Sequence, residues 1–205
     1  MRFAACACFF LLLGCSPARS QDAETPQDQT GETSVLVEAQ TELGTFVIEV
    51  YPGKAPNTVA NFLRYVDGGF FDAGRFHRTV HSENQPNDSV RIAVIQGDIS
   101  PDRRANGYPA IALERTNLTG LKHVDGAISM ARGGPDSASS SFFICIGDQP
   151  SLDVGGNRNL DGQGFAAFGV VVEGMDVVRA VNQAPAEGQN LVPPVGILRM
   201  ARQGG

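Results

Sequence analysis

Several kinds of chemistry are missing from this sequence. The one long apolar run, Phe3 to Leu13, is too short to cross a bilayer, which takes about 20 apolar residues. Cysteine is scarce, four in 205 residues, and beyond residue 15 only Cys145 is left. Basic residues are outnumbered, 16 Lys and Arg against 22 Asp and Glu, and the net charge of −6 argues against nucleic-acid phosphates as a partner. There is no internal repeat and no tryptophan. Ser139-Ser140-Ser141 lack the Gly-x-Ser-x-Gly elbow and a base to serve it, which argues against a hydrolase. Asn157, Asn159, Asp161 and Gly162 echo part of a calcium loop, but Phe168 stands where a bidentate Glu is required, so no metal is expected.

What is present begins with an address. Arg2 precedes the apolar run, and Leu12-Leu13-Gly14-Cys15 resembles the bacterial lipobox. That resemblance implies a signal peptide over 1–14, cleavage before Cys15, and lipid attachment to its sulfur and new amino terminus. An ordinary secretory signal ending near Ala18 is the alternative. Several acyl chains make a stable anchor, at about 0.8 kcal/mol per buried CH₂. Ser16 rather than Asp points, by the rule for such proteins, to the periplasmic side of an outer membrane. Residues 16–33 are Ser, Pro, Gln, Asp, Glu and Thr with hardly an apolar side chain, so 15–33 form a lipidated flexible tether. In the remaining domain, 34–205, Cys145 lies alone in the apolar stretch Phe142 to Ile146. No internal disulfide is possible there, and an inert core thiol is expected.

The domain has short, alternating apolar runs. Val35, Val37 and Ala39 alternate, as do Phe46, Ile48 and Val50, with a turn at Glu42-Leu43-Gly44; further runs fall at 76–80, 91–97, 127–131, 141–146, 168–172 and 195–200. Two stretches switch to helical spacing. Pro56 opens one, with Val59, Phe62, Leu63 and Val66 on one face and Gly68-Gly69 stopping it; the other runs from Met175 to Val181. The pattern predicts a mainly β fold, a closed barrel with two helices plugging its ends.

Two segments carry the functional signal. An arginine on an apolar strand, Phe76-His77-Arg78, is costly unless it faces a wet cavity. The strand Ser141-Phe142-Phe143-Ile144 can send one phenylalanine to the core and its neighbour to that cavity. A guanidinium beside an aromatic floor suits an uncharged amide bearing a ring, as a prolyl peptide bond does.

These segments, in order, resemble the cyclophilin family of peptidyl-prolyl isomerases. The matching blocks are Lys54 to Phe62, Gly69 to Asp72 leading into Phe76-His77-Arg78, Ile95 to Asp98, Gly126 to Arg132, Ser141 to Ile144, and Phe168 to Val178. The resemblance implies an eight-stranded antiparallel barrel with two α-helices, no cofactor, and an active site on the outer wall. It places the catalytic arginine on Arg78 and its glutamine on Gln96. Phe143 becomes the proline-pocket floor, with Val94, Ala131 and Leu152 as walls. Arg132 replaces an asparagine whose backbone holds the peptide, and main-chain contacts survive such a change.

Several positions depart from the family. Ser141 stands for a glutamine, Phe165 for a histidine and Ser151 for a tryptophan, whose loss implies weak cyclosporin binding. Ala93 and Val94 replace a larger pair, predicting a more open pocket. Eighteen positions separate Arg78 from Gln96, about ten more than usual. The surplus, His81 to Val90, is a polar loop, either a specificity element or a spacer. Asp153 to Gly164 is also long.

Prolyl isomerisation breaks no bond; its barrier of ~18–20 kcal/mol is amide resonance lost on twisting. A forked, permanently charged guanidinium can donate to the prolyl nitrogen as it becomes pyramidal, and Gln96 can fix that arginine. His77, one residue away, is expected on the opposite face as a hydrogen-bonded buried histidine. The reading is therefore an isomerase acting on X-Pro bonds in unfolded or flexible envelope proteins. The alternatives are a proline-segment chaperone or scaffold with little turnover, and a structural lipoprotein reusing the barrel.

Overall fold

The computed structural model describes residue 1 and residues 34–204; the signal segment, Cys15 and the tether lie outside the described residues. Strand alternation begins at once. β1 (Val35–Thr41) and β2 (Gly44–Val50) pair along their whole length, bringing Val37 opposite Ile48 and Ala39 opposite Phe46, all buried. α1 (Pro56–Asp67) follows, with Pro56 in its first turn. The Glu114 carboxylate accepts from the Asn57 and Thr58 N–H groups at 3.1 and 2.7 Å and from the Thr58 hydroxyl at 2.6 Å. It thus satisfies donors that have no partner within the helix and opposes the positive end of its dipole. Val59, Phe62, Leu63 and Val66 form the buried face, as their spacing predicts.

The remaining elements are β3 (Gly74–Val80), β4 (Val94–Asp98), a short α2 (Thr116–Thr119), β5 (Ala127–Met130), β6 (Phe142–Cys145), β7 (Ala166–Glu173), α3 (Met175–Asn182), β8 (Ala186–Glu187) and β9 (Asn190–Arg202). The strands run in the order β1-β2-β7-β5-β6-β4-β3-β9, and β9 pairs back onto β1. This closes an eight-stranded antiparallel barrel and leaves β8 as a two-residue hairpin arm on β9. Closure removes the exposed strand edges of an open sheet.

Period-two alternation separates two apolar clusters, one on each side of the barrel wall. Phe142 and Ile144 of β6, Ile128 and Met130 of β5, and Ile95 of β4 belong to the inner cluster with Phe62 of α1. The Phe62 ring lies 5.6, 6.0 and 5.1 Å from those of Phe71, Phe142 and Phe168, within the range of favourable aromatic pairing. Phe143 and Cys145 of β6, Val94 of β4 and Ala127 of β5 face outward into a smaller second cluster. The adjacent pair Phe142-Phe143 therefore divides between core and outer wall.

β3 does not keep the alternation. Phe76 pairs with Gly97 and Arg78 with Gln96, so two residues advance on β3 for one on β4. Such a bulge reverses the facing of everything after it. Phe76 lies in the inner cluster, and without the surplus residue Arg78 would follow it inside. Instead Thr79 is internal, its hydroxyl donating to the Asn182 carbonyl at 2.8 Å, while Val80 joins the outer cluster. Gly97 is the counterpart on β4, since a Cβ there would come within 2.8 Å of the Phe142 ring and 3.0 Å of Phe76. His77 is half-buried at the bulge, but its buried Nδ1 has no hydrogen-bond partner, contrary to the expectation of a bonded histidine.

Cys145 is fully buried, and burial pushes its thiol far above the usual value. Peptide mapping after treatment of the native protein with a thiol reagent should find the Cys145 peptide unmodified, and modified once denaturant is added. Rapid native labelling would contradict the packing described here.

Candidate active site

A cavity of about 250 Å³ opens on the outer wall. Arg78 of β3, Val94 and Gln96 of β4, and Phe143 of β6 line it, with Ala131, Arg132, Leu152 and Phe165 from the segments that follow β5 and β6. Eight of the nine residues expected from the sequence thus share one cavity; Ser141 is the exception.

The floor is built in layers. Phe143 meets Phe165 edge-on, with centroids 5.3 Å apart and planes at 88°. On its other side the His123 ring stacks at 5.9 Å and 14°. His123 Nδ1 lies 2.8 Å from the Asp153 carboxylate and Nε2 lies 3.0 Å from the Ser129 hydroxyl. An ionised carboxylate only accepts, so Nδ1 carries the proton and Nε2 accepts from Ser129. These residues have the arrangement of a Ser-His-Asp triad, yet Ser129 and His123 are buried out of reach of any substrate. They fix the ring beneath Phe143 and do no acyl chemistry.

Arg78 is held from two sides. Nη1 donates to Gln96 Oε1 at 3.0 Å, while Nε and Nη2 both donate to Gln189 Oε1, at 2.9 and 2.6 Å. Gln189 lies just before β9 and gives no signal in the sequence, since only closure of the barrel brings it beside a residue 111 positions earlier. Its partners being amide oxygens, the guanidinium keeps its charge uncompensated in direct contact. Burial, then the nearby Arg158, lower its pKa, although an arginine remains a cation.

One expectation needs correction. Ser141 does not line the cavity; its hydroxyl accepts from Gln96 Nε2 at 3.1 Å and bonds the Gly97 carbonyl at 3.2 Å, orienting the glutamine that orients Arg78. The Arg132 side chain does line it, with 1% of its surface exposed, but is spent on scaffold. It donates to both Asp161 oxygens at 2.7 and 2.9 Å and to the Gly164 carbonyl, and lies 5.1 Å from the Phe165 ring centre. That pairing holds the Asp161 carboxyl at about 2. Ile92 shares the outward face with Val94 and supplies a wall that the sequence did not indicate. Arg158 and Asn159 complete the lining and were likewise not foreseen.

A family model described as cyclophilin type peptidyl-prolyl cis-trans isomerase/CLD matches residues 36–202. The chain belongs to this family. A peptidyl-prolyl cis-trans isomerase of Acinetobacter baylyi is 35% identical over 153 residues, 74% of each chain. Peptidyl-prolyl cis-trans isomerase B of Escherichia coli is 34% identical over 144 residues, 70% of this chain and 81% of that one. A crystal structure of a cyclophilin type isomerase from Cryptosporidium parvum shares the fold, with a TM-score of 0.67 at 20% identity, covering 84% of this chain and 99% of that one. The cyclophilin-type chain is thus a peptidyl-prolyl cis-trans isomerase.

Two outcomes are expected. Gln189→Ala frees two of the three donors of Arg78 and should lower kcat by about 10-fold with little change in KM, as hydrogen bonds to a charged group are worth about 1.5–3 kcal/mol. Exchange NMR on a proline peptide reads this directly, and an unchanged kcat would show Gln189 to be dispensable. Burial also lowers the pKa of both His123 and His77. The unfolded chain takes up protons near pH 6.5 that the folded chain refuses, so this contribution to stability is complete above about pH 6.5 and falls as the pH drops below it. Urea midpoints should decline from pH 7 to 5.5, and His123→Gln should flatten the decline; a rise on acidification would contradict it.

Proposed function

We propose that this isomerase works outside the cytoplasm, tethered by lipid at Cys15, on X-Pro bonds of unfolded or flexible envelope proteins. The observation that carries the location is Leu12-Leu13-Gly14-Cys15 behind a short apolar run, followed by a polar stretch to residue 33. Such a stretch gives a membrane-held domain reach toward its clients. Ser16 favours the outer membrane.

The site supports turnover on extended segments. The cavity lies on the outer wall, where a chain can pass without being threaded, and Phe143 offers a flat apolar floor to the prolyl ring. With the ring held, rotation falls on the carbonyl side. The Arg78 guanidinium then stabilises the twisted state, whose nitrogen lone pair is free to accept, more than either planar state. Gln96, Gln189 and Ser141 hold the donor in place beforehand, so little reorganisation is left for the reaction. Ser151, standing where many relatives carry tryptophan, leaves cyclosporin binding weak.

Cell fractionation tests the location. The wild-type chain should partition with membranes, and Cys15→Ala should move the protein to the soluble fraction or leave it as unprocessed precursor. Identical partitioning and processing of the two would overturn the anchor.

A further inference from the structure

The prolyl pocket accounts for Arg78, Gln96, Phe143 and the apolar walls. It leaves unexplained why a third guanidinium, beside those of Arg78 and Arg132, and an idle amide line the same cavity. Arg158 Nη1 donates to the Val90 carbonyl at 2.7 Å and lies 3.1 Å from Asp88 Oδ2. Both acceptors belong to the long connection between β3 and β4, residues 81–93. That connection is anchored at its base, where the buried Gln85 side chain bonds the Ile92 N–H and carbonyl at 3.1 and 2.7 Å. The loop therefore holds Arg158 against the cavity. Beside it, Asn159 also lines the cavity, and its buried Nδ2 has no hydrogen-bond partner among the described residues.

The charges are unevenly balanced. Among the described residues, three arginines line the cavity and no carboxylate does. Arg132 is tied to both oxygens of Asp161. Arg78 meets only amide oxygens. Arg158 has a single carboxylate partner, Asp88, which is 39% exposed against 17% for Arg158 itself. A positive cavity in a chain of net charge −6 is selective for what enters it.

We propose that Arg158 and Asn159 form a carboxylate-binding subsite at the edge of the prolyl pocket, so that the enzyme prefers proline segments with an acidic group within one residue of the proline. The incoming carboxylate takes the place of Asp88 on Arg158, which stays anchored through Val90. Asn159 Nδ2 donates to the second oxygen. The loop of residues 81–93 is then a specificity element, acting through the arginine it holds. This inference rests on the isomerase activity and is independent of where the protein is located.

Peptides of matched sequence separate the sources of the carboxylate: Glu against Gln before the proline, Glu against Gln after it, and a terminal proline with free against amidated carboxyl. Exchange NMR gives kcat/KM, and shift titration gives Kd without relying on turnover. At least one arm should favour the acid by about 3- to 5-fold at low salt, as expected of a partly exposed ion pair, and the preference should shrink at 0.5 M salt. Arg158→Gln should bring that ratio to about 1, and Asp88→Asn, which removes the competing carboxylate, should raise it. A ratio of 1 in every arm of the wild type, or a ratio that survives Arg158→Gln, would overturn the subsite.

Discussion

One surplus residue in β3 decides on which side of the barrel wall Arg78 emerges. Phe76 packs inside, and a regular strand would carry Arg78 in after it, where an unpaired guanidinium among phenylalanine rings would be strongly destabilising. The bulge at His77 turns the side chain outward, and Gln96 and Gln189 receive it there. Strand pairing on both sides of β3 shifts at the same place, so the irregularity is built into the neighbouring register as well. The unpartnered Nδ1 of His77 is a local cost of that arrangement.

Once Arg78 is outside, the rest of the site follows from alternation. Phe143 and Val94 face outward because Phe142 and Ile95 are needed inside. The pocket floor is backed by buried polar groups in place of more apolar packing. Asp153 and Ser129 satisfy both nitrogens of a neutral His123, which stacks flat beneath Phe143. Full satisfaction of such a buried network favours a single ring position, and it keeps the Phe143 floor rigid.

Much of this was legible in the sequence where a local pattern carries it. The paired phenylalanines, the two helices and the strand spacing all depend on period, and the barrel closes as that pattern requires. Departures arise where a side chain's fate depends on a distant partner. Gln189 reaches Arg78 only because β9 lies beside β3. The Arg132 side chain is tied to Asp161, across a loop whose course no periodicity fixes. Ser141 supports Gln96 and leaves the pocket alone, and Ile92 takes a wall position beside Val94.

The loop between β3 and β4 joins these themes. It is long and polar, yet its Asn84 bonds the Thr79 and Gly188 carbonyls while its own carbonyl accepts from Gln189. It therefore braces one support of Arg78 and, at its other end, holds Arg158. The most direct test of the account is catalysed cis–trans exchange of a proline peptide by wild type, Arg78→Ala and Arg78→Lys, with binding followed in parallel. Loss of the donor should cost on the order of 10²–10³-fold in catalysed exchange, with Lys restoring only a small part and the peptide still bound over Phe143. Exchange at the wild-type rate in Arg78→Ala would contradict the central role given to that guanidinium.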